Sequence, residues 1–244
     1  MNERNTMEDK MIRQRDLIEE SIYDKYVAVA GCGATGHQVA RILTFMGIKD
    51  IIVIDPDVVN LHNCTVQGFQ DGDIGMAKVK AFERSMQYNN SCPDIQEVKY
   101  EHTTWGDKYP DVVVMCTDTM ESRKAIWKWC KEKHVQLVLD SRVLGNLMQI
   151  YVIPMDQEKA TDVYEESVNR YDDKTAEAGR CTARMTLYGA TMAASWLVRG
   201  IVMWNKRAAG IPLQVYSTVN LLMGTVDNEI ELDIVPAAEK GSVA

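Results

Sequence analysis

Several things are scarce in this chain of 244 residues, and each scarcity closes off a class of protein. Histidine occurs four times. The six cysteines (Cys32, Cys64, Cys92, Cys116, Cys130 and Cys181) are scattered, with no C-x-x-C pair and no histidine at ligand spacing. That pattern offers neither a structural zinc site nor a disulfide framework, and cysteines of this kind read as reduced, small apolar fillers. No apolar run approaches the roughly 18 residues of a membrane span. The opening residues, MNERNTMEDK, lack the apolar centre of a signal peptide, so a cytoplasmic protein is the expectation. Positive charge is in deficit: 27 Lys and Arg against 35 Asp and Glu leave a net charge of −8. That balance argues against a general nucleic-acid surface or a face for anionic membranes, although a local basic pocket remains open.

What the chain does have is apolar material, 46% of residues, enough for one good-sized core. Its organising stretch runs from Tyr26 to Asp55. An apolar run, Val27-Ala28-Val29-Ala30, leads into Gly31-x-Gly33-x-x-Gly36. A helical pattern follows (Val39, Ile42, Leu43, Met46), and a second apolar run, Ile51 to Ile54, ends on Asp55. This is strand, tight turn, helix and strand. The glycines serve the turn, the approach of backbone to a phosphate, and close helix–strand packing. Phosphate is expected on the free N–H groups at the helix start, around Ala34 and Thr35, and ribose hydroxyls on Asp55.

The alternation continues to Ile153. A polar stretch, Pro56 to Gly75, precedes a helix from about Met76 to Asn89 and a strand around Ile95 to Tyr100. Asp111 to Met115 is a buried strand ending in Cys116-Thr117-Asp118-Thr119. A helix over Glu121 to Lys133 and strands over Gln136 to Asp140 and Leu147 to Ile153 follow. The pattern predicts an α/β protein: a Rossmann-like, doubly wound, mostly parallel sheet with helices on both faces. Residues 1–25 read as a helical arm with Met11, Ile12, Ile18 and Ile22 on a loose apolar face. Residues 26–236 read as one domain, and 237–244 as a frayed tail. Asp156 to Glu177 is polar and acidic without apolar periodicity, so 156–180 reads as a long mobile loop. Met185 to Trp204 reads as an apolar helix with small residues for close packing under the sheet or against a second subunit. Leu213 to Ile234 supplies two or three closing strands, giving a mixed C-terminal sheet region.

Ligands of doubly wound sheets sit outside the carboxyl ends of the strands. Three such ends carry polar groups here: the glycine loop, Asp55, and Cys116-Thr117-Asp118. A dinucleotide dehydrogenase uses the first two, whereas an acid facing phosphates does nothing for hydride transfer. A nucleoside triphosphate does need it, because Asp118 could hold Mg²⁺ and Lys78 could neutralise phosphate charge. The plainer alternatives are that Asp118 caps its helix and Lys78 is a solvated surface lysine.

Taken in order, Gly31-Cys32-Gly33-Ala34-Thr35-Gly36, the run Asp55-Pro56-Asp57-Val58-Val59-Asn60-Leu61-His62-Asn63-Cys64-Thr65-Val66-Gln67, Gly75-Met76-Ala77-Lys78, and Cys116-Thr117-Asp118 with Arg123 resemble the ThiF/MoeB family. These are the adenylating domains related to ubiquitin-activating enzymes. The resemblance covers about residues 26–153. It implies ATP-dependent adenylation of the C-terminal carboxylate of a small ubiquitin-like or sulfur-carrier-like protein with an exposed C-terminus, by a homodimer. It places Gly31, Gly33, Gly36, Asp55 and Asp57 in the nucleotide site, Asn63 and Gln67 along the phosphate path, Lys78 on phosphate charge, and Mg²⁺ on Asp118.

The chain departs from the family in carrying Val66 where an arginine precedes the glutamine, and lysine does not replace that donor in bidentate form. Arg142, just beyond the strand ending at Asp140, is a candidate replacement. The family also uses an N-terminal arginine, often across a dimer, and Arg13-Gln14 resembles that pair. Cys181, between Arg180 and Arg184 near a helix start, sits where relatives carry a cysteine. Its surroundings lower a thiol pKa as a nucleophile requires, and the alternative is a cysteine with no covalent role. Three rival functions stand beside ubiquitin-like protein activation: adenylation of a peptide or tRNA-base carboxylate, a non-catalytic nucleotide-binding scaffold, and a nicotinamide-dependent oxidoreductase.

Overall fold

Strands that are apolar on both faces need covering on both sides, and a parallel sheet flanked by helices provides it. The computed structural model describes residues 11–87, 93–170, 185–209, 212–220 and 223–232. Among these residues eight strands form one sheet in the order β3-β2-β1-β4-β5-β6-β7-β8. These are β1 (Tyr26–Ala30), β2 (Asp50–Ile54), β3 (Asp94–Gln96), β4 (Val112–Met115), β5 (Leu137–Leu144), β6 (Leu147–Pro154), β7 (Leu213–Asn220) and β8 (Thr225–Leu232). β1 to β5 pair in parallel, and β5 to β8 pair antiparallel. The Rossmann-like α/β fold with a mixed C-terminal part is therefore as the sequence pattern predicts. β3 is shorter than the pattern suggests, because Tyr100 to His102 turn into a 3₁₀ segment.

Among the described residues five α-helices cover the sheet: α1 (Ala34–Met46), α2 (Lys78–Met86), α3 (Met120–Glu132), α4 (Glu158–Arg170) and α5 (Leu187–Asn205). One core joins Val27, Val29, Val53, Val112, Val114 and Leu139 to residues of α1, α2 and α5. The other joins Ala28, Ala30, Ile54, Val113, Met115 and Val138 to residues of α3 and α4. Small residues let α5 lie close: Gly189, Ala190, Ala193 and Ala194 are buried, and a Cβ on Gly200 would stand 2.7 Å from Val152 Cγ2.

Two expectations change. Residues 158–170 are a helix, not part of a mobile loop. Ala160, Tyr164 and Val168 recur every four residues and are buried against the sheet, a stripe too sparse to show as periodicity in an acidic background. Residues 171–180 of that expected loop, Cys181, and the expected tail 237–244 lie outside the described residues. Residues 1–10 of the expected helical arm lie outside the described residues, and 12–25 form turns with one 3₁₀ segment, Glu20–Ile22. They pack on the body: Ile22 is fully buried, and Met11 contacts the position of a Cβ on Gly47, while Ile12 faces solvent.

A buried ionic cluster fixes α3 and α4 to β5. Asp140 is fully buried and accepts from Arg123 Nε (2.9 Å), Arg142 Nε (3.0 Å) and Tyr164 Oη (3.1 Å). Arg142 Nη1 also donates to Ser167 Oγ on α4 at 2.9 Å. Burial alone pushes the Asp140 carboxyl up, but Arg123 and Arg142 override it and hold the acid below its ordinary range. Asp140→Ala leaves two arginines buried without their counter-charge. It is expected to destabilise the fold by about 3–5 kcal/mol in urea unfolding.

His37, in the first turn of α1, is 3% exposed between Phe69 and Phe82. Burial, aided by Arg41 and opposed by Asp73, lowers its pKa from 6.5 to about 4. The unfolded chain therefore takes up this proton first as pH falls. The stability His37 retains above pH 6.5 is lost between there and about pH 4. Relative to His37→Leu, the unfolding free energy of the wild type should fall by roughly 3 kcal/mol across that window.

Candidate active site

The strand ends that carry the polar motifs are level with one another. Ala30 pairs with Ile54 on one side and Met115 on the other, and Met115 pairs with Asp140. Gly31, Asp55 and Cys116 therefore leave the sheet at one height. The chain runs from β1 to β2 on one side while β4 lies on the other, which opens a crevice at the switch in strand order.

The glycine loop is held by backbone contacts that exclude side chains. Gly31 adopts φ +100°, and a Cβ there would lie 2.5 Å from the Cys116 carbonyl oxygen. A Cβ on Gly36 would lie 1.8 Å from the Gly31 carbonyl oxygen. Gly33 is different: nothing lies within 4 Å of the position its Cβ would take. It is the N-cap of α1 and supplies no side-chain cap. The first turn, which includes Ala34 and Thr35, thus has no side-chain cap on its N–H groups, and open space lies beside its N-cap, an arrangement suited to an anion.

Asp55, 5% exposed, ties this loop to β2. Its Oδ2 accepts the Cys32 N–H at 2.6 Å and its Oδ1 the Asp57 N–H at 2.8 Å. Burial pushes its pKa up, and Lys78 with those two amides opposes the rise. A carboxylate offers about four lone-pair sites, so two remain for hydroxyl donors. Lys78 is 7% exposed, not a solvated surface lysine, and its Nζ lies 2.7 Å from Asp57 Oδ2.

Across the crevice, Thr119 caps α3, its Oγ1 accepting the Ser122 N–H at 3.1 Å. Asp118 therefore does not serve as the cap. It is exposed, with no side-chain partner among the described residues. A single free carboxylate suits Mg²⁺, which is commonly held by one or two carboxylates together with substrate phosphates. No group of three or more His, Cys, Asp and Glu able to hold a metal occurs among the described residues.

Other expected site residues are placed less simply. Asn63 is buried and its Oδ1 accepts the Asn60 N–H at 2.8 Å, so that oxygen shapes the turn. Gln67 Oε1 is buried without a partner. Arg142 is locked under α4, with its guanidinium 4.8 Å from the Tyr151 ring centre. It is a fixed member of the Asp140 cluster, not a mobile arginine standing in for the one missing at Val66. Gln14 Nε2 donates to the Met46 carbonyl at 2.7 Å, at the far end of α1. Arg13 beside it is thus separated from its own glycine loop by the helix length, about 20 Å at 1.5 Å per residue.

Sequence reasoning placed Thr117 in its motif but gave it no role; its Oγ1 is buried without a partner beside the glycine loop. It also read Asp140 only as a strand end; a fully charged residue directly after Leu137-Val138-Leu139 was the available signal. Burial pushes up the thiol pKa values of Cys32, Cys116 and Cys130, which keeps them protonated and inert. A cavity of about 530 Å³ lies at the opposite ends of the strands, beside the start of β5, lined by residues including Gln136, Met155 and Arg207. Its Lys131–Glu165 and Arg207–Asp156 pairs neutralise one another.

The chain matches the model of the ThiF family over residues 8–228. It is 31% identical over 150 residues to ubiquitin-like modifier-activating enzyme 5 of Caenorhabditis briggsae, which is 54% of this chain and 34% of that protein. It is 34% identical over 130 residues to the Drosophila persimilis enzyme of the same name, 47% of this chain and 34% of that one. The chain thus spans about a third of the length of the curated relatives it matches. Among solved structures it resembles E. coli MccB, with TM-score 0.66 and 16% identity, covering 96% of this chain and 72% of that one. It likewise resembles PaaA, with TM-score 0.66 and 17% identity, covering 96% and 86%. These structural likenesses speak to the fold, and the family match speaks to the chain as a whole: it is a member of the ThiF family.

Proposed function

We propose that this chain is an ATP-dependent adenylyltransferase that activates the C-terminal carboxylate of a small ubiquitin-like or sulfur-carrier-like protein. The observation that carries the proposal is the convergence of an uncapped helix start, Asp55, Lys78 and the free Asp118 on one crevice. In the reaction a carboxylate oxygen attacks the α-phosphorus of ATP. The bond from that phosphorus to the bridging oxygen breaks, and pyrophosphate leaves with an acyl-adenylate formed. No proton need move, because the attacking carboxylate is already ionised, so the task is positioning and charge neutralisation.

In this reading Gly31, Gly33, Ala34, Thr35 and Gly36 present backbone to the phosphates and Asp55 takes the ribose hydroxyls. Lys78 balances phosphate charge, Asp57 and Asn63 hold the strand-end turn, and Gln67 lines the phosphate path with its unpartnered oxygen. Mg²⁺ on Asp118 would supply further charge neutralisation on the departing pyrophosphate. A thioester on Cys181, formed as its thiolate displaces AMP from the acyl-adenylate, homodimer formation and a cytoplasmic location complete the proposal. Support for the protein substrate comes from the ubiquitin-like modifier-activating relatives. Support for the nucleotide comes from MccB, which has been crystallised with ATP at TM-score 0.59 to this chain.

A second reading keeps the chemistry and takes a peptide carboxylate. The likeness to MccB favours it, since that protein has been crystallised with MccA and AMPCPP. ATP–pyrophosphate exchange separates the two, being stimulated by an added ubiquitin-like protein in the first and by a peptide in the second. Asp118→Ala should lower exchange by about 100-fold, the scale of losing one charge-stabilising group, with the urea midpoint unchanged. Exchange at the wild-type rate in that variant would remove Asp118 from the site.

A further inference from the structure

Lys78 already has an anion. Its Nζ sits 2.7 Å from Asp57 Oδ2, and its backbone N–H donates to the Asp57 carbonyl at 2.9 Å. Asp57 therefore grips one residue at two points. The partners differ in solvation: the Lys78 side chain is 9% exposed and the Asp57 side chain 61%. Through its own N–H, Asp57 is tied to Asp55 Oδ1, and the other Asp55 oxygen takes the Cys32 N–H. One line of contacts runs from the glycine loop through both aspartates to Lys78.

Anchoring explains only part of this arrangement. The backbone bond from Lys78 to Asp57 sets the start of α2 against the strand end. The Val58–Ala77 bridge and the Val59 N–H to Met76 carbonyl bond, 2.8 Å, repeat that link. The side-chain pair adds little to it. What the pair decides is charge, because a buried ammonium without a counter-ion is costly. A phosphate could serve as counter-ion only while bound. The demand on Lys78 is also large, since Val66 occupies the place of the family arginine.

We infer that Asp57 is a positioning residue that holds the Lys78 ammonium as a stand-in for phosphate and surrenders it when a di- or triphosphate enters. The inference rests on the adenylation reading and specifies how its phosphate site opens and closes. Release costs Asp57 little, because water replaces the lysine at an exposed carboxylate. The buried ammonium passes from one anion to another and is never left unpaired. The same exchange, run backwards, helps pyrophosphate to leave.

The test uses inorganic pyrophosphate and Mg·ATP as probes, titrated calorimetrically into the wild type, Asp57→Asn, Lys78→Met and the double variant. Asp57→Asn should bind pyrophosphate about tenfold tighter, the equivalent of one charge-assisted hydrogen bond no longer broken on binding. In exchange assays it should lower both KM for ATP and kcat, because product leaves more slowly. The tightening should vanish in the Lys78→Met background, as coupling between the two side chains requires. Weaker or unchanged pyrophosphate binding in Asp57→Asn overturns the inference while wild-type binding leaves the adenylation reading standing. So does a tightening that persists without Lys78. A wild type that binds neither probe removes both.

Discussion

Backbone meeting backbone at the head of α1 is the constraint on which the rest depends. Gly36 presses on the carbonyl of Gly31, and Gly31 presses on the carbonyl of Cys116. No side chain fits at either contact, so the β1 turn, the start of α1 and the end of β4 are fixed as one unit. Asp55 extends that unit to β2 by accepting backbone N–H groups from both sides. The crevice follows from this locking. Its walls are peptide groups and short loops whose positions are settled before any ligand arrives, which is what phosphate recognition by N–H groups requires.

Two polar systems flank that unit, and solvation separates their work. The Asp140–Arg123–Arg142 cluster is closed, with tyrosines and α4 packed over it, and its value is in joining β5 to two helices. The Asp57–Lys78 pair is half open, with a buried cation and an exposed anion. A closed network of this kind specifies geometry and resists change. A half-open one can trade its anion at low cost. Chemistry that depends on passing charge to a phosphate belongs with the second.

Much of this was legible in the sequence because it is local. The three glycines and Asp55 lie at strand ends or helix starts, where spacing fixes their neighbourhood, while for Lys78 and Asp118 spacing left a surface lysine and a helix cap open. The parallel sheet was legible for the same reason, from apolar runs alternating with helical patterns. α4 was not, since its buried stripe is three residues, Ala160, Tyr164 and Val168, amid acids that face water. The burial of Lys78 depends on the fold of residues 56–77 over it, and the locking of Arg142 depends on Tyr164 and Ser167 from a helix that spacing did not reveal. Contacts between elements distant in sequence decide such matters, and no local pattern records them.

In the proposed reaction phosphate approaches the backbone at Gly33. A methyl group added there meets no protein atom within 4 Å, and the φ of −81° is one any residue adopts. Gly33→Ala should therefore keep the wild-type melting temperature while filling the space a phosphate would use. Calorimetric titration of Mg·ATP into both proteins is the most direct measurement. Binding by the wild type that is lost in a fully folded Gly33→Ala supports the account. Equal binding by the two would contradict it.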